Sequence, residues 1–264
     1  MCHDRLKLTQ QPSIVQILGP HNFKLTMNER EVAAISSPMG ADYLKTAFLF
    51  AERAQLVELA PPADSFEWSL LHRSYVTSSL LSATCSLEAT INEWFSFPEE
   101  IDAASSPATG LQIQRIWSLG IPRTASFQVL QKYQVALALT GRPAFIEGEE
   151  PYQSARLLIE LRNWLVHYEP TWEPVPAHEE TGEFPPHKLV RRLRGKFKPN
   201  PLCQPDAPFW PYKCLGAGCA LWAAETALAF MDTFFERCDP RSNSRPNKKW
   251  IQKARDFGRT HSHS

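Results

Sequence analysis

The chain carries no surplus of charge: 28 lysines and arginines face 28 aspartates and glutamates. Whole-chain attraction to nucleic acid is therefore excluded, and only local basic patches remain for that work. No apolar run approaches the roughly 18 residues that a membrane helix needs; CALWAA (219–224) is typical of those present. The opening MCHDRLKLTQQPSIVQILGPH lacks the continuous apolar core of a signal peptide. These absences predict a soluble cytoplasmic protein with no membrane partner. Also missing are a Gly-x-x-x-x-Gly-Lys-Ser/Thr loop, a Gly-x-Gly-x-x-Gly turn after a strand and a His-Glu-x-x-His helix. Classical nucleotide, dinucleotide and zinc-protease chemistries fall away with them. Six cysteines, at 2, 85, 203, 214, 219 and 238, come without secretory context and are expected to be reduced thiols.

What is present is enough to fold. The 264 residues are 43% hydrophobic, which suits one large domain or two small ones. Residues 1–40 form an N-terminal arm, where Phe23, Leu25 and Met27 alternate with Lys24 and Thr26 as in a strand. Residues 41–60 have helical periodicity and stop at Pro61-Pro62, while 65–97 holds neither Gly nor Pro and runs to Pro98. Loop follows over 98–110, then a short helix over 111–119 ending at Gly120. A Thr start and a Gly stop bracket a helix over 124–141, and Pro151 opens another over 151–168. Ten of the 22 prolines crowd into 170–211, an irregular connection interrupted by a basic helical piece from His187 to Phe197. A strong helix over 219–238 closes the series, and the polar basic tail, 239–264, is expected to be mobile. The predicted architecture is an all-α bundle of four or five helices over 41–238.

The run ELRNWLVHYEP (160–170) concentrates the chemistry. Histidine moves protons near neutral pH, and guanidinium stabilises charge building on a phosphate. Spacing alone is weak, because chance supplies roughly one such Arg-to-His pair in a chain like this. Arg255 and His261 show a similar spacing in the polar tail. Context separates the two copies. At about 100° per residue, Leu157, Leu158, Leu161, Trp164, Leu165 and Tyr168 share a core-facing arc, while Arg156, Glu160, Asn163 and His167 lie opposite. Asn163 and His167 are one turn apart and can touch a common ligand. Arg162 sits on the boundary, about 140° from His167, and reaches the shared spot through its long side chain. Ile159 and Val166 also leave the core arc, which predicts a second packed surface on this helix.

Leu-Arg-Asn-Trp-Leu-Val-His (161–167) resembles the Arg-Asn-x-x-x-His signature of HEPN domains, the helical "higher eukaryotes and prokaryotes nucleotide-binding" group. SLEATINEWF (86–95) resembles the helix of those domains that carries an acidic residue, here Glu88. ALWAAETALAFMDTFF (220–235) resembles the closing helix of HEPN-like bacterial proteins, so the resemblance spans about 41–238. It implies a helical bundle that dimerises and cleaves RNA without a metal, with Arg162, Asn163 and His167 of both subunits in one cleft and Glu88 beside them. A toxin or defence role, with an antitoxin or regulatory protein as partner, goes with that reading. The 40-residue arm and the proline-rich 170–211 segment lie outside the minimal pattern. Some HEPN domains have no nuclease activity, so the alternative is a non-catalytic module that binds a nucleotide or a protein partner.

The remaining candidates each carry a plainer reading. Glu88 shares a stripe with Leu81, Cys85, Ile91 and Phe95 and is expected to point inward. A carboxylate there must be paired or protonated, so a structural salt bridge competes with a cleft role. In HKLVRRLRGKFKP (187–199), Lys188, Arg191, Arg192, Arg194, Lys196 and Lys198 come without an acid. They could follow an RNA backbone, or be balanced by Glu169, Glu173, Glu179, Glu180 and Glu183. The seven cations from Arg241 onward, against Asp256 alone, are a weaker candidate for the same work. Cys203, Cys214 and Cys219 with His178 or His187 lack the compact pairs of zinc sites, so neither metal nor cofactor is expected. Symmetric pairing through Ile159 and Val166 would place the 151–168 helix at or beside a homodimer interface.

Overall fold

The computed structural model describes residues 39–96, 128–169, 188–238 and 245–260, three strands within 14–35, and isolated positions between 110 and 120. The predicted 98–110 loop, most of the 111–119 helix, residues 170–187 with His178 and His187, and His261 lie outside the described residues. The chain divides into two compact units, Met1–Pro38 and Met39–Ser264.

The first unit holds an antiparallel meander of β1 (Ile14–Gly19), β2 (Asn22–Met27) and β3 (Arg30–Ile35), in sheet order β1-β2-β3. Val15 stands opposite Leu25, and Lys24 opposite Ala33. The Phe23–Met27 alternation falls on β2.

The second unit is all-α among the described residues. Its helices are α1 (Gly40–Leu59), α2 (Ser65–Ser96), α3 (Val129–Leu139), α4 (Tyr152–Val166), the short α5 (Lys188–Leu193), α6 (Ala217–Cys238) and α7 (Lys248–Thr260). Local punctuation fixes their ends. The prolines at 61 and 62 stop α1, whose last turn closes with the Ala60 N–H donating to Leu56 O. Asp64 accepts the Glu67 N–H and so opens α2. At the start of α1, Glu93 of α2 accepts the Met39 and Gly40 N–H groups at 2.5 and 2.8 Å. That approach requires glycine: a Cβ at Gly40 would sit 2.3 Å from Thr90 Oγ1.

Helices α1, α2 and α6 make the centre of the bundle. On α2 the buried stripe is Val76, Leu80, Ala83, Leu87, Ile91 and Phe95, spaced three or four apart as one helical face requires. It meets Ala47, Phe48 and Ala51 of α1 and an alanine-rich face of α6, Ala220, Ala223, Ala224 and Ala227. Small side chains let the three backbones approach. Ser79 sits at their meeting point, its Oγ 2.8 Å from Ala47 O and 3.2 Å from Ala220 O. Where α3 joins, size replaces closeness. The Tyr133 ring meets Phe230 and Phe234 edge-on at 4.9 and 4.8 Å, and Phe145 stacks on Phe230 at 4.6 Å.

The Tyr133 hydroxyl is fully buried and donates to Leu87 O at 2.8 Å. Burial, with Glu93 and Glu88 adding to it, pushes the phenol well above its usual range, so it remains a donor. Tyr133→Phe keeps the ring contacts and loses this bond. Its expected cost is about 0.5–1.5 kcal/mol in urea unfolding, because Leu87 O still has its helical partner.

The tail expectation is corrected. Residues 248–260 form α7, which packs on α1 with Ile251 and Gly258 buried. Arg255 and Arg259 bind the buried carboxylate of Glu52, so two of the tail's cations are fastened to the bundle.

Candidate functional site

Helix α4 presents the Arg-Asn-x-x-x-His motif near its C-terminal end. Leu157, Leu158 and Leu161 are buried as the periodicity predicts. The Trp164 ring lies parallel to the buried Trp210 ring, centroids 3.7 Å apart at 17°, and pins this end of α4 to the turn Phe209–Lys213. The helix ends at Val166, two residues earlier than expected, and His167 is its C-cap. The His167 N–H donates to Asn163 O at 2.9 Å, so the one-turn relation survives. Tyr168 does not reach the core arc. Past the helix end it is 53% exposed, as is Val166.

Asn163 and His167 are exposed, and Arg162 is half-buried. The Arg162 guanidinium donates from Nη1 to Asn163 Oδ1 at 3.0 Å. The asparagine thereby holds the guanidinium beside the face that also carries His167, bridging the 140° boundary seen in the sequence. The three residues form an edge on which a phosphate could meet a cation, an amide and an imidazole together.

The basic segment reaches the same helix. Arg192 pairs with Glu160, which lies one turn before Asn163 on the same face and is also 3.7 Å from Arg156 Nε. Lys196 pairs with Glu150, just before α4, at 3.3 Å. Burial pushes the Glu150 carboxyl up, but hydrogen bonds from Ser154 and the Lys196 charge outweigh it and hold the group below its usual range. Arg194 stands 5.5 Å over the Phe209 ring. Lys188, Arg191 and Lys198 are exposed. Of the acids expected to balance this segment, Glu169 is exposed and the other four lie outside the described residues; the acids that do so are Glu160 and Glu150.

Glu88 is not brought to this edge. Lys132 of α3, almost fully buried, binds it at 2.6 Å and also reaches Asn92 Oδ1 at 3.1 Å. The expected inward stripe is corrected. Ile91 and Phe95 are buried, but Leu81 and Cys85 are exposed and the Glu88 side chain is 39% exposed. Glu88 stands about 100° round from Leu87, at the margin of the buried arc. A pairing of Arg162 with Glu88, which would have coupled the motif to the core, is absent, so truncating Arg162 strands no carboxylate.

Cys214 and Cys219 are buried and Cys203 is half-buried. Burial pushes the Cys219 thiol well up, with Cys214 beside it adding to the effect, and burial also raises Cys203. Among the described residues no three His, Cys, Asp or Glu side chains converge as metal ligands, and no helix is long and apolar enough to cross a membrane. Two cavities, of about 650 and 380 Å³, open elsewhere on the bundle, and no motif residue lines either. Comparison with protein-family models, curated proteins and solved structures finds no match.

Proposed function

We propose that this chain is a HEPN-type, metal-independent endoribonuclease of the cytoplasm, acting as a homodimer on RNA and held in check by an antitoxin or regulatory protein. The observation that carries the reading is the Arg192–Glu160 pair, which sets a cationic turn against the helix face bearing Asn163 and His167. Phosphate contacts from Lys188, Arg191 and Lys198 would hold an RNA backbone while the motif acts on one phosphate. Exposed Val166 and Tyr168 beside the motif are apolar surface that a second copy would cover.

In the proposed reaction the ribose 2′-hydroxyl attacks the adjacent phosphorus, and one His167 accepts its proton as general base. The P–O5′ bond breaks as the second subunit's histidine protonates the departing oxygen. Arg162 stabilises the charge on the five-coordinate phosphorus, and Asn163 orients that guanidinium. The products are a 2′,3′-cyclic phosphate and a 5′-hydroxyl. Glu88, bound to Lys132, has a structural part in this scheme.

Cleavage of a mixed RNA pool is expected to continue undiminished in excess EDTA and to leave cyclic phosphate ends. Light scattering of the same sample should give twice the chain mass. Cleavage lost in EDTA and restored by magnesium would overturn the reading. RNA bound but left intact would favour the non-catalytic module.

A further inference from the structure

The larger cavity lies between the first half of α2 and the strap that runs from Asn200 to Leu215. At about 650 Å³ it falls in the range of small-molecule sites. Leu202, Pro208, Pro211, Tyr212 and Leu215 give it an apolar wall. From α2, Ser69, His72 and Arg73 face it, spaced three and four apart as neighbours on one helical face.

His72 lies in the stripe that continues toward Val76 and Leu80, and its side chain is only 4% exposed. Its Nε2 lies 2.9 Å from Glu58 Oε1. The same oxygen accepts the Ala217 N–H, at the start of α6, at 2.7 Å. A carboxylate that already accepts an amide proton presents only lone pairs, so the imidazole proton belongs on Nε2. Nδ1 then has no hydrogen-bond partner among the described residues. A buried imidazole with one nitrogen satisfied and the other unspent, lining a cavity, is an incomplete polar site.

The charges agree on what would complete it. The lining holds a guanidinium and an imidazole but no carboxylate. Glu58, the acid behind His72, is taken up by two donors. Arg73 is exposed and has no ion-pair partner among the described residues. The strap is braced from within. Asn200 Nδ2 donates to Tyr212 O and Leu215 O at 3.3 and 3.4 Å, its Oδ1 accepts the Leu202 N–H at 3.0 Å, and Lys213 Nζ donates to Pro205 O at 2.6 Å. The wall is therefore preformed, which limits the ordering cost of binding.

We propose that this cavity is a binding site for a small monocarboxylate with an apolar body. Arg73 and His72 take the carboxylate, and the Leu202–Leu215 wall takes the body. On binding, His72 takes one proton from solvent onto Nδ1. The imidazolium then bridges two carboxylates, Glu58 at Nε2 and the ligand at Nδ1, while Arg73 neutralises the added charge. The site is distant in sequence from the Arg162–His167 edge and shares no residue with it, so it stands or falls independently of the ribonuclease reading.

Two acids and their alcohols supply the test: octanoate with octan-1-ol, and 4-phenylbutanoate with 4-phenylbutan-1-ol. Each is titrated into the full chain by calorimetry. In parallel, iodoacetamide labelling is followed at Cys203, which lines the cavity, and at Cys85, which is exposed elsewhere on α2. At least one acid should bind and slow Cys203 labelling while leaving Cys85 untouched, with its alcohol about 10–100-fold weaker. Arg73→Gln, at an exposed position that leaves the core intact, should weaken the acid about tenfold or more and leave the alcohol unchanged. Protection of Cys203 by neither acid at millimolar concentration would overturn the proposal. So would equal affinity of acid and alcohol, or an Arg73→Gln protein with the same melting curve and the same affinity for the acid.

Discussion

Replacing Arg255 and Arg259 together with methionine should destabilise the protein by about 3–5 kcal/mol, the cost of leaving a buried carboxylate without its partners. Glu52 is only 3% exposed. Its Oε1 accepts from Arg255 Nε at 2.7 Å and Arg259 Nη2 at 3.1 Å, and its Oε2 from Arg259 Nε at 3.0 Å. The two arginines raise no comparable difficulty, because both remain partly open to water. Glu52→Gln should therefore cost clearly less than the double substitution. Alpha-7 also fits tightly, since a Cβ at Gly258 would lie 2.9 Å from Glu52 Cβ and 3.1 Å from Leu49 O. Urea unfolding measures the loss, and limited proteolysis should show α7 cut first, because its release re-solvates Glu52. Unchanged stability of the double variant would show that Glu52 carries no charge in the folded protein.

The long helices were legible because their signals are local. Proline pairs, glycine stops and three-to-four spacing place α1, α2, α4 and α6 within two residues of their observed ends. Alpha-7 was not legible. Its sequence is mostly polar, and the partner that fixes it, Glu52, lies 203 positions earlier than Arg255. Nothing in the local pattern of 248–260 announces a buried carboxylate on another helix. Tyr168 was misplaced for a related reason: periodicity extrapolates a helix, whereas the chain leaves helical geometry at His167.

For the candidate site, the sequence gave residue types and spacing but not neighbours. Asn163 and His167 were readable as one face, and the structure adds the Arg162–Asn163 bond that joins the boundary residue to it. The contact of the basic turn with α4 through Glu160 depends on how the chain returns after residue 187, which no spacing encodes. Glu88 shows the limit of stripe arithmetic over a 32-residue helix, where a residue at the arc's margin can turn to a neighbour such as Lys132. His72 had a visible signal, an ionisable side chain in line with Val76 and Leu80. Its cavity did not, because the opposite wall is about 130 residues away in the chain.

The His167→Ala substitution is expected to slow RNA cleavage by about 10²–10⁴-fold, the contribution of a positioned general acid or base. It should leave the fold intact. His167 is exposed, and alanine retains the N–H that donates to Asn163 O. Arg162→Lys is a useful companion, since it keeps the positive charge and loses the planar fork that can bind a phosphate through two parallel bonds. Arg162→Ala is clean for the same structural reason, because Glu88 keeps Lys132 whatever happens at Arg162. The most direct measurement is single-turnover cleavage of one mixed RNA pool by wild type and His167→Ala in parallel, with a melting curve for each. The account predicts equal melting and cleavage slowed by about 10²–10⁴-fold in the variant. Undiminished cleavage by a fully folded His167→Ala protein would contradict it.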